Sequence, residues 1–271
     1  DLNIGSGNKI YGGGYAYIVQ EINNQNIEAN VIGDINITLS GNTKAVGEGY
    51  LNLWGGGSAG ILMNANSGVE LDNTKASATV TGDISVDASK DFNATSGYDD
   101  WDSSMFDNLY GGGHASGPYA DATVNGNTDV ITCREVRDSQ RSGAFAGGHA
   151  THGSKARVTG NTKIEVVAAE NAADRHESAK NVGGGGLAGF YGDAVVEGNT
   201  HVIIGEGVLF EGGGFFGVTG GGVVFEEYGC ADVGGDVTVE ISSDITKYWP
   251  YGGGFAKEEG SEASVAGDIS I

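Results

Sequence analysis

Three histidines have the residue type and the spacing to bind a metal ion. His114 and His149 each follow an aromatic residue and three small residues, in the segments 110–114 and 145–149, and His152 comes shortly afterwards. If the two segments stack on each other, the imidazoles lie roughly 5 Å apart. Imidazole is a common ligand of transition metals. However, the repeat places no cysteine or carboxylate beside the three histidines as a further ligand. We therefore predict no metal site and no cofactor.

Carboxylates could instead hydrolyse a glycan, because glycoside hydrolases place two of them around the bond that is cleaved. Asp99-Asp100, Asn127-Thr128-Asp129 and Gly148-His149 are similar to fragments of the polygalacturonase signature, but they occur in the wrong order. The Asn-Thr pair also recurs elsewhere, so repetition accounts for it without catalysis. A lyase would need a base beside an acidic cluster, and the chain has only 14 Lys and Arg. We predict no catalytic residue and favour a protein that is not an enzyme.

An acidic insertion rich in aromatic residues is the strongest candidate for a binding surface. It spans residues 87–109 and carries Tyr98, Trp101, Met105 and Phe106. Loops longer than about 15 residues without structure of their own are usually functional or disordered, and aromatic residues argue against disorder. We predict that these four residues bind a ligand. The alternative is that the insertion folds back and covers an edge of the fold.

Seven sequence repeats must position the candidate residues described above. Each has a glycine, then Asn or Asp, a β-branched residue, a spacer and Val or Ile; the copies begin at Gly33, Gly82, Gly126, Gly160, Gly198, Gly235 and Gly267. A run of three small residues, often after an aromatic, precedes each copy; the runs begin at Gly12, Gly55, Gly111, Ala146, Gly183, Gly212 and Gly252. Successive copies lie 32 to 49 residues apart. The repeat thus has a fixed skeleton and two points of insertion.

The skeleton predicts strands. Residues 122–131 alternate with period two, and Gly126-Asn127 predicts a corner because both residue types tolerate φ > 0. No segment has helical spacing, and 50 glycines oppose helices. Units of two or three short strands must stack to bury their apolar faces. We therefore predict an all-β protein: a single right-handed parallel β-helix of about seven coils with variable loop insertions. A propeller is the main rival, but each of its blades needs four strands.

Composition and chain ends suggest the setting. The net charge of −22 and the pI near 4.3 disfavour nucleic acid and anionic membranes as partners, and the sequence has no segment suited to membrane insertion. The chain starts at Asp1 without a methionine and stops at Ile271 within a repeat. We expect residues 1–271 to be one β-helical repeat domain, a monomeric fragment of a longer protein.

The repeat phrases resemble those of a known group of proteins. Residues 109–115 and 124–130 are similar to the "VYGGG…V.GNT.V.I" repeats of large secreted or wall-attached proteins of anaerobic gut bacteria. Those repeats resemble pectate-lyase-like β-helical adhesins and autotransporter passengers. The resemblance covers nearly the whole chain and carries no catalytic motif. It implies an extracellular place on a bacterial cell surface, and an adhesin or structural segment that binds a host or bacterial glycan or glycoprotein through loops.

Two other functions remain open on the sequence. The first is a β-helical polysaccharide lyase or glycoside hydrolase. The second is a mechanical stalk, although a stalk predicts loops of uniform length, and the loops here vary.

Stacked repeats also predict columns of equivalent side chains. The aromatic column either packs in the core, which we favour, or forms an exposed platform for sugar rings; its members are Tyr11, Trp54, Tyr110, Phe145 and Tyr251. The Asn/Asp column should satisfy local backbone groups at the corner, with a cation between paired aspartates as the alternative. Val130, Ile164 and Val202 should point into the core. Cys133 and Cys230 should stay unpaired, because three coils separate them by roughly 14 Å.

Overall fold

The computed structural model describes residues 2–5, 9–18, 26–39, 43–46, 51–61, 74–89, 106–133, 143–168, 181–208, 217–243 and 250–271. Among these residues, every regular element is a strand and none is a helix. The predicted all-β class is therefore confirmed.

Four parallel sheets run along the repeat array, and each turn of the chain through them is one coil. Sheet 1 precedes the small-residue run and contains Lys9–Tyr11, Leu51–Trp54, Phe106–Tyr110, Gly143–Phe145, Asn181–Gly183 and Gly217–Thr219. Sheet 2 follows the run and contains Tyr15–Ile18, Ser58–Ile61, His114–Ser116, His149–Thr151, Leu187–Ala188, Val223–Val224 and Phe255–Ala256. In the seventh coil, Tyr251 extends sheet 1 by a single bridge to Thr219.

The second half of each coil supplies the other two sheets. Sheet 3 contains Asn26–Ile32, Lys75–Thr81, Ala120–Asn125, Lys155–Val158, Asp193–Val196, Cys230–Val233 and Glu262–Val265. Sheet 4 contains Ile35–Thr38, Ile84–Ala88, Thr128–Thr132, Thr162–Val166, Thr200–Ile204, Val237–Ile241 and Ile269–Ser270. A separate parallel pair joins Leu2–Gly5 to Thr43–Val46.

Each strand of the four sheets pairs with its counterpart in the next coil. In sheet 4, for example, Val86 pairs with Val130 and Val130 pairs with Ile164. The seven Gly-Asn/Asp phrases therefore lie in register in one sheet, as predicted. The fold is a parallel β-helix of seven coils. The first six coils have four strands each, rather than two or three, and the last has three strands and the bridge at Tyr251. All pairings among the described strands are parallel, unlike the antiparallel pairings within a propeller blade.

Alternation of side chains builds the main core between sheets 1, 3 and 4. Val130, Ile164 and Val202 are fully buried in it, as the alternation predicts. Sheets 2 and 3 approach more closely and meet through alanines such as Ala115 and Ala122. This close approach requires the glycine that directly precedes each strand of sheet 2. A Cβ placed there would lie 2.5 to 2.8 Å from an alanine Cβ of sheet 3 in all seven coils, too close for non-bonded carbons.

Glycine occupies the corners between sheets 3 and 4 for a different reason from the one predicted. Only Gly33 and Gly82 lie at positive φ, at 126° and 149°. At the other corners the neighbouring coil leaves no room for a side chain. A Cβ at Gly160, for example, would lie 2.5 Å from the carbonyl oxygen of Gly126. Contact between coils, rather than backbone freedom, therefore accounts for most of these glycines.

The Asn/Asp column forms an unbroken ladder from coil to coil. The Oδ1 atom of each member accepts the backbone N–H of the next, at 2.8 or 2.9 Å, through Asp34, Asp83, Asn127, Asn161, Asn199, Asp236 and Asp268. The prediction that these side chains satisfy backbone groups is confirmed, but the groups belong to the next coil and are not local. Asn and Asp both carry an Oδ1 acceptor, which explains why they interchange in this column.

The ladder leads to a test at its centre. Asn161→Ala should lower the free energy of unfolding by about 1 kcal/mol, because the N–H of Asn199 loses its acceptor. Asn161→Asp should stay within about 0.5 kcal/mol of the wild type, because it keeps the acceptor between two uncharged neighbours. Urea unfolding followed by circular dichroism measures both variants. If both variants lost the same free energy of unfolding, the Oδ1 acceptor of the ladder would add no stability.

Candidate ligand-binding site

The turn between sheets 2 and 3 has a left-handed backbone in five successive coils. The equivalent positions lie three residues before a paired alanine of sheet 3. They are Tyr119, Gly153, Tyr191, Tyr228 and Gly260, with φ of 63°, 76°, 52°, 58° and 68°. We call this set the tyrosine corner. Glycine adopts this conformation freely, whereas a residue with a Cβ is destabilised in it by about 1–2 kcal/mol.

Hydrogen bonds between coils hold this conformation at Gly153, Tyr191 and Tyr228. The backbone N–H of Gly153 donates to the carbonyl of Phe190 at 3.1 Å, and that of Tyr191 donates to Glu227 at 3.2 Å. Because glycine occupies two of the five positions, the fold itself does not need tyrosine there. Strained residues that the surrounding structure holds in place cluster at functional sites. The three tyrosines are therefore candidates for function.

The tyrosine side chains face solvent. Tyr119 and Tyr191 are each 61% exposed, and Tyr228 is 45% exposed. The rings of Tyr191 and Tyr228, on neighbouring coils, stack with their centroids 5.1 Å apart and their planes 13° from parallel. The corner thus presents aromatic faces at the surface, where a ligand can reach them.

A cleft of about 620 Å³ opens between Tyr119 and Tyr191, with Gly153 on the coil between them. Its polar residues include Lys75, Asp121, Lys155 and Asp193. The last three occupy one register position on successive coils, and the Nζ of Lys75 lies 3.5 Å from Oδ2 of Asp121. The volume is in the range of small-molecule sites, about 300–1,000 Å³. The cleft combines aromatic walls with donors and acceptors of both charges.

The predicted aromatic column lies at the corner between sheets 1 and 2. Trp54, Tyr110 and Phe145 are buried, as we favoured, but in a cluster separate from the main core. Their rings stack in order, with centroids 6.2 and 5.4 Å apart. Tyr11 stacks on Trp54 at 5.0 Å, and the column is interrupted in the fifth and sixth coils, where no aromatic member was predicted. Strand pairing puts Gly183 and Thr219 in it, so the corner glycines of the fifth and sixth coils are Gly184 and Gly220, rather than Gly183 and Gly212.

His114 and His149 lie on adjacent coils, with ring centroids 5.2 Å apart, close to the spacing predicted. Their rings pack against Trp54 and Tyr110 respectively. Burial, helped by the nearby His152, lowers the pKa of His149 to about 4. Burial also lowers the pKa of His114 well below its usual value, with smaller effects from His149 and Lys9. Both imidazoles are therefore neutral at pH 7 and serve as packing groups.

His152 lies near His149 but is not buried with the pair. It is exposed, and its Nδ1 lies 2.9 Å from the hydroxyl of Thr151. Within the described ranges, no three or more His, Cys, Asp or Glu side chains come together as metal ligands. A second cavity, of about 190 Å³, lies between His149, His152 and Phe225. It is smaller than usual ligand sites, so the tyrosine corner is the stronger candidate.

The two cysteines are both free, as predicted. Cys133 is buried. Cys230 is partly buried, with its Sγ 3.2 Å from a carboxylate oxygen of Asp232. Burial and this hydrogen bond raise the pKa of Cys230 to about 12. A thiol protonated at neutral pH is a poor nucleophile, so its surroundings do not favour catalysis.

The predicted ligand patch is the part that the structure does not address. Tyr98, Trp101 and Met105 lie outside the described residues. Phe106 begins a strand of sheet 1, but its side chain is not among those that the structure describes. Sequence reasoning missed the tyrosine corner. The signal available was a tyrosine three residues before an alanine of a strand, at Tyr119, Tyr191 and Tyr228.

Comparisons with models of protein families, with curated proteins and with solved structures gave no match. In the part of the chain that the structure describes, no helix is long and apolar enough to span a membrane. Function therefore has to be argued from the geometry of the chain itself.

Proposed function

We propose that this chain is a non-enzymatic recognition segment of an extracellular bacterial surface protein, an adhesin that binds a glycan or glycoprotein. The observation that carries the proposal is the tyrosine corner. Three exposed tyrosines occupy strained positions that glycine fills elsewhere in the same column. Strain without a structural need is expected where the side chain contacts a ligand. The resemblance of the repeats to bacterial surface proteins agrees with this setting.

The rigid array beneath the corner suits recognition. Parallel pairing fixes the spacing of Tyr119, Gly153 and Tyr191 through coil-to-coil hydrogen bonds. A site held on paired strands loses little conformational entropy when a ligand binds. The cleft can therefore bind without first folding a loop.

An enzyme of the glycoside hydrolase kind is the second candidate, because the cleft contains two carboxylates. Asp121 and Asp193 are two coils apart, about 9.6 Å at the usual strand spacing, close to the upper limit for an inverting pair. However, Lys155 occupies the same register position on the coil between them. Asp121 is also ion-paired with Lys75. Catalysis requires the space between the carboxylates for water and the sugar, so we favour binding without turnover.

An array of glycans, host glycoproteins and immunoglobulins tests the proposal on the purified chain, with a reducing-end assay run on each ligand that binds. We expect binding without new reducing ends. Turnover of a uronic-acid polymer or another glycan would overturn the non-enzymatic assignment. Failure to bind any member of the array would overturn the recognition function.

The predicted patch of Tyr98, Trp101, Met105 and Phe106 stays a prediction that the same array can test. Deletion of residues 91–107 removes it and leaves the tyrosine corner in place. Loss of binding after this deletion would assign recognition to the insertion. Unchanged binding would exclude the insertion and leave the corner as the site.

A further inference from the structure

We propose that the cleft of the tyrosine corner binds a neutral oligosaccharide, and that one sugar ring inserts between Tyr119 and Tyr191 above Gly153. The inference rests on the proposed recognition function and gives it a ligand class and a position. Three features of the corner carry it: the spacing of the coils, the open position at Gly153 and the charges of the cleft.

The spacing of the coils that carry Tyr119 and Tyr191 has room for one inserted ring. Where neighbouring coils both carry tyrosine, at Tyr191 and Tyr228, the rings stack 5.1 Å apart. Tyr119 and Tyr191 are two coils apart, which corresponds to about 9.6 Å. A ring placed midway would lie about 5 Å from each tyrosine, within the stacking range of 4.5–7 Å. The ligand would thus take the place that a tyrosine of the middle coil would fill.

The position above Gly153 is open, unlike its equivalent in the last coil. A Cβ built on Gly153 would find Pro118 as its nearest neighbour, at 3.7 and 3.9 Å. A Cβ built on Gly260 would overlap the ring of Tyr228. Tyr228 therefore covers the glycine of the next coil, whereas Tyr119 does not cover Gly153. Gly153 therefore has no tyrosine ring over it, and Tyr119 and Tyr191 line the same cleft on either side of it.

The charges around this open position favour a neutral sugar. A sugar ring presents C–H bonds on its face and hydroxyl groups at its edge, so its face suits tyrosine and its edge needs polar partners. Lys75 and Lys155 can donate to hydroxyls, and Asp121 and Asp193 can accept from them. These four side chains cancel in charge, and the chain as a whole carries −22. An acidic polymer would be repelled, and an aromatic peptide side chain would be flanked by charged groups that it cannot satisfy.

A variant that fills the open position above Gly153 tests the inference without removing a side chain. Gly153→Tyr should fold, because tyrosine already adopts this backbone conformation at Tyr119, Tyr191 and Tyr228. Gly153→Ala is the matched control: it has a Cβ in the same left-handed conformation but places no ring in the open position. The array holds neutral tri- to hexasaccharides of glucose, galactose, mannose and N-acetylglucosamine. We expect it to contain a ligand whose Kd for Gly153→Ala is within about twofold of its Kd for the wild type. Its Kd for Gly153→Tyr should be at least tenfold higher.

A second pair of variants removes the walls. Tyr119→Gly and Tyr191→Gly should each weaken binding about tenfold. Neither should lower the melting temperature by more than a few degrees, because relief of backbone strain offsets the lost ring contacts. Binding by Gly153→Tyr equal to that of the wild type would overturn the inference, as would an array without a neutral ligand. If only a protein partner binds, the sugar inference fails and the recognition function stands. Release of products from any glycan would overturn the recognition function itself.

Discussion

Ile164→Asp is expected to unfold the protein or to lower its free energy of unfolding by several kcal/mol. Ile164 is fully buried in the main core, between Val130 and Val202 of the neighbouring coils. The substitution removes a buried apolar side chain, a loss of about 1.5–3 kcal/mol. It also puts a carboxylate among apolar groups, which costs several kcal/mol or forces the uptake of a proton. The two losses together approach the whole stability of an ordinary domain.

The neighbouring residue on the same strand provides the control. Glu165 points outward and forms an ion pair with Lys163 at 3.0 Å. Glu165→Asp keeps the charge and shortens the side chain, so it should change stability by less than about 1 kcal/mol. Urea unfolding followed by circular dichroism compares the two variants. Equal transition midpoints would place Ile164 outside the core and contradict the observed alternation.

The free energy of unfolding is expected to fall as the pH drops from about 6.5 to about 4, because of His114 and the partly buried His149. A histidine has a pKa near 6.5 in the unfolded chain, whereas burial lowers the pKa of His149 to about 4 in the folded protein. The unfolded state therefore binds a proton first, and protonation favours unfolding across this window. A difference of 2.5 pKa units corresponds to about 3 kcal/mol from His149 at full effect. His114 should act in the same direction.

The adjacent coil supplies the control for this prediction. Leu187 pairs directly with His149 in sheet 2, so His149→Leu introduces a side chain that the column already accommodates. Urea unfolding at several pH values should give a steeper decline for the wild type than for the variant. The carboxylates titrate in both proteins and cancel in the comparison. Parallel declines would show that His149 is not protonated on unfolding.

The sequence predicted those features that repeat in every coil. The Gly-Asn/Asp phrase marks the same position seven times, so it predicted the register of sheet 4. The alternation around Val130, Ile164 and Val202 predicted the side facing the core. Sheet 2 escaped prediction because its strands are as short as Leu187–Ala188, too short for alternation to be visible. The sixth repeat has two glycine runs, from Gly212 and from Gly220, and only strand pairing decides between them.

The left-handed backbone of the tyrosine corner could not be predicted from the residues next to each tyrosine. Tyr119 follows Gly-Pro, whereas Tyr191 and Tyr228 precede glycine, so their immediate neighbours share no turn signature. At Tyr191 and Tyr228 the backbone N–H donates to the next coil, so the conformation there depends on tertiary contacts. The charged lining of the cleft likewise depends on bringing together residues from separate coils, such as Asp121 and Asp193.

The Asn/Asp ladder has a consequence for how such a protein can evolve. At each corner, one residue donates its N–H to the preceding coil and accepts from the following coil with its Oδ1; Asn161 does both. The two ends of a coil are therefore complementary to each other. A stretch of gene that encodes one whole coil can be duplicated or lost, and the new junction forms without a compensating substitution. Length can then change by whole turns, and the cleft at Gly153 is inherited intact wherever the change lies outside its three coils.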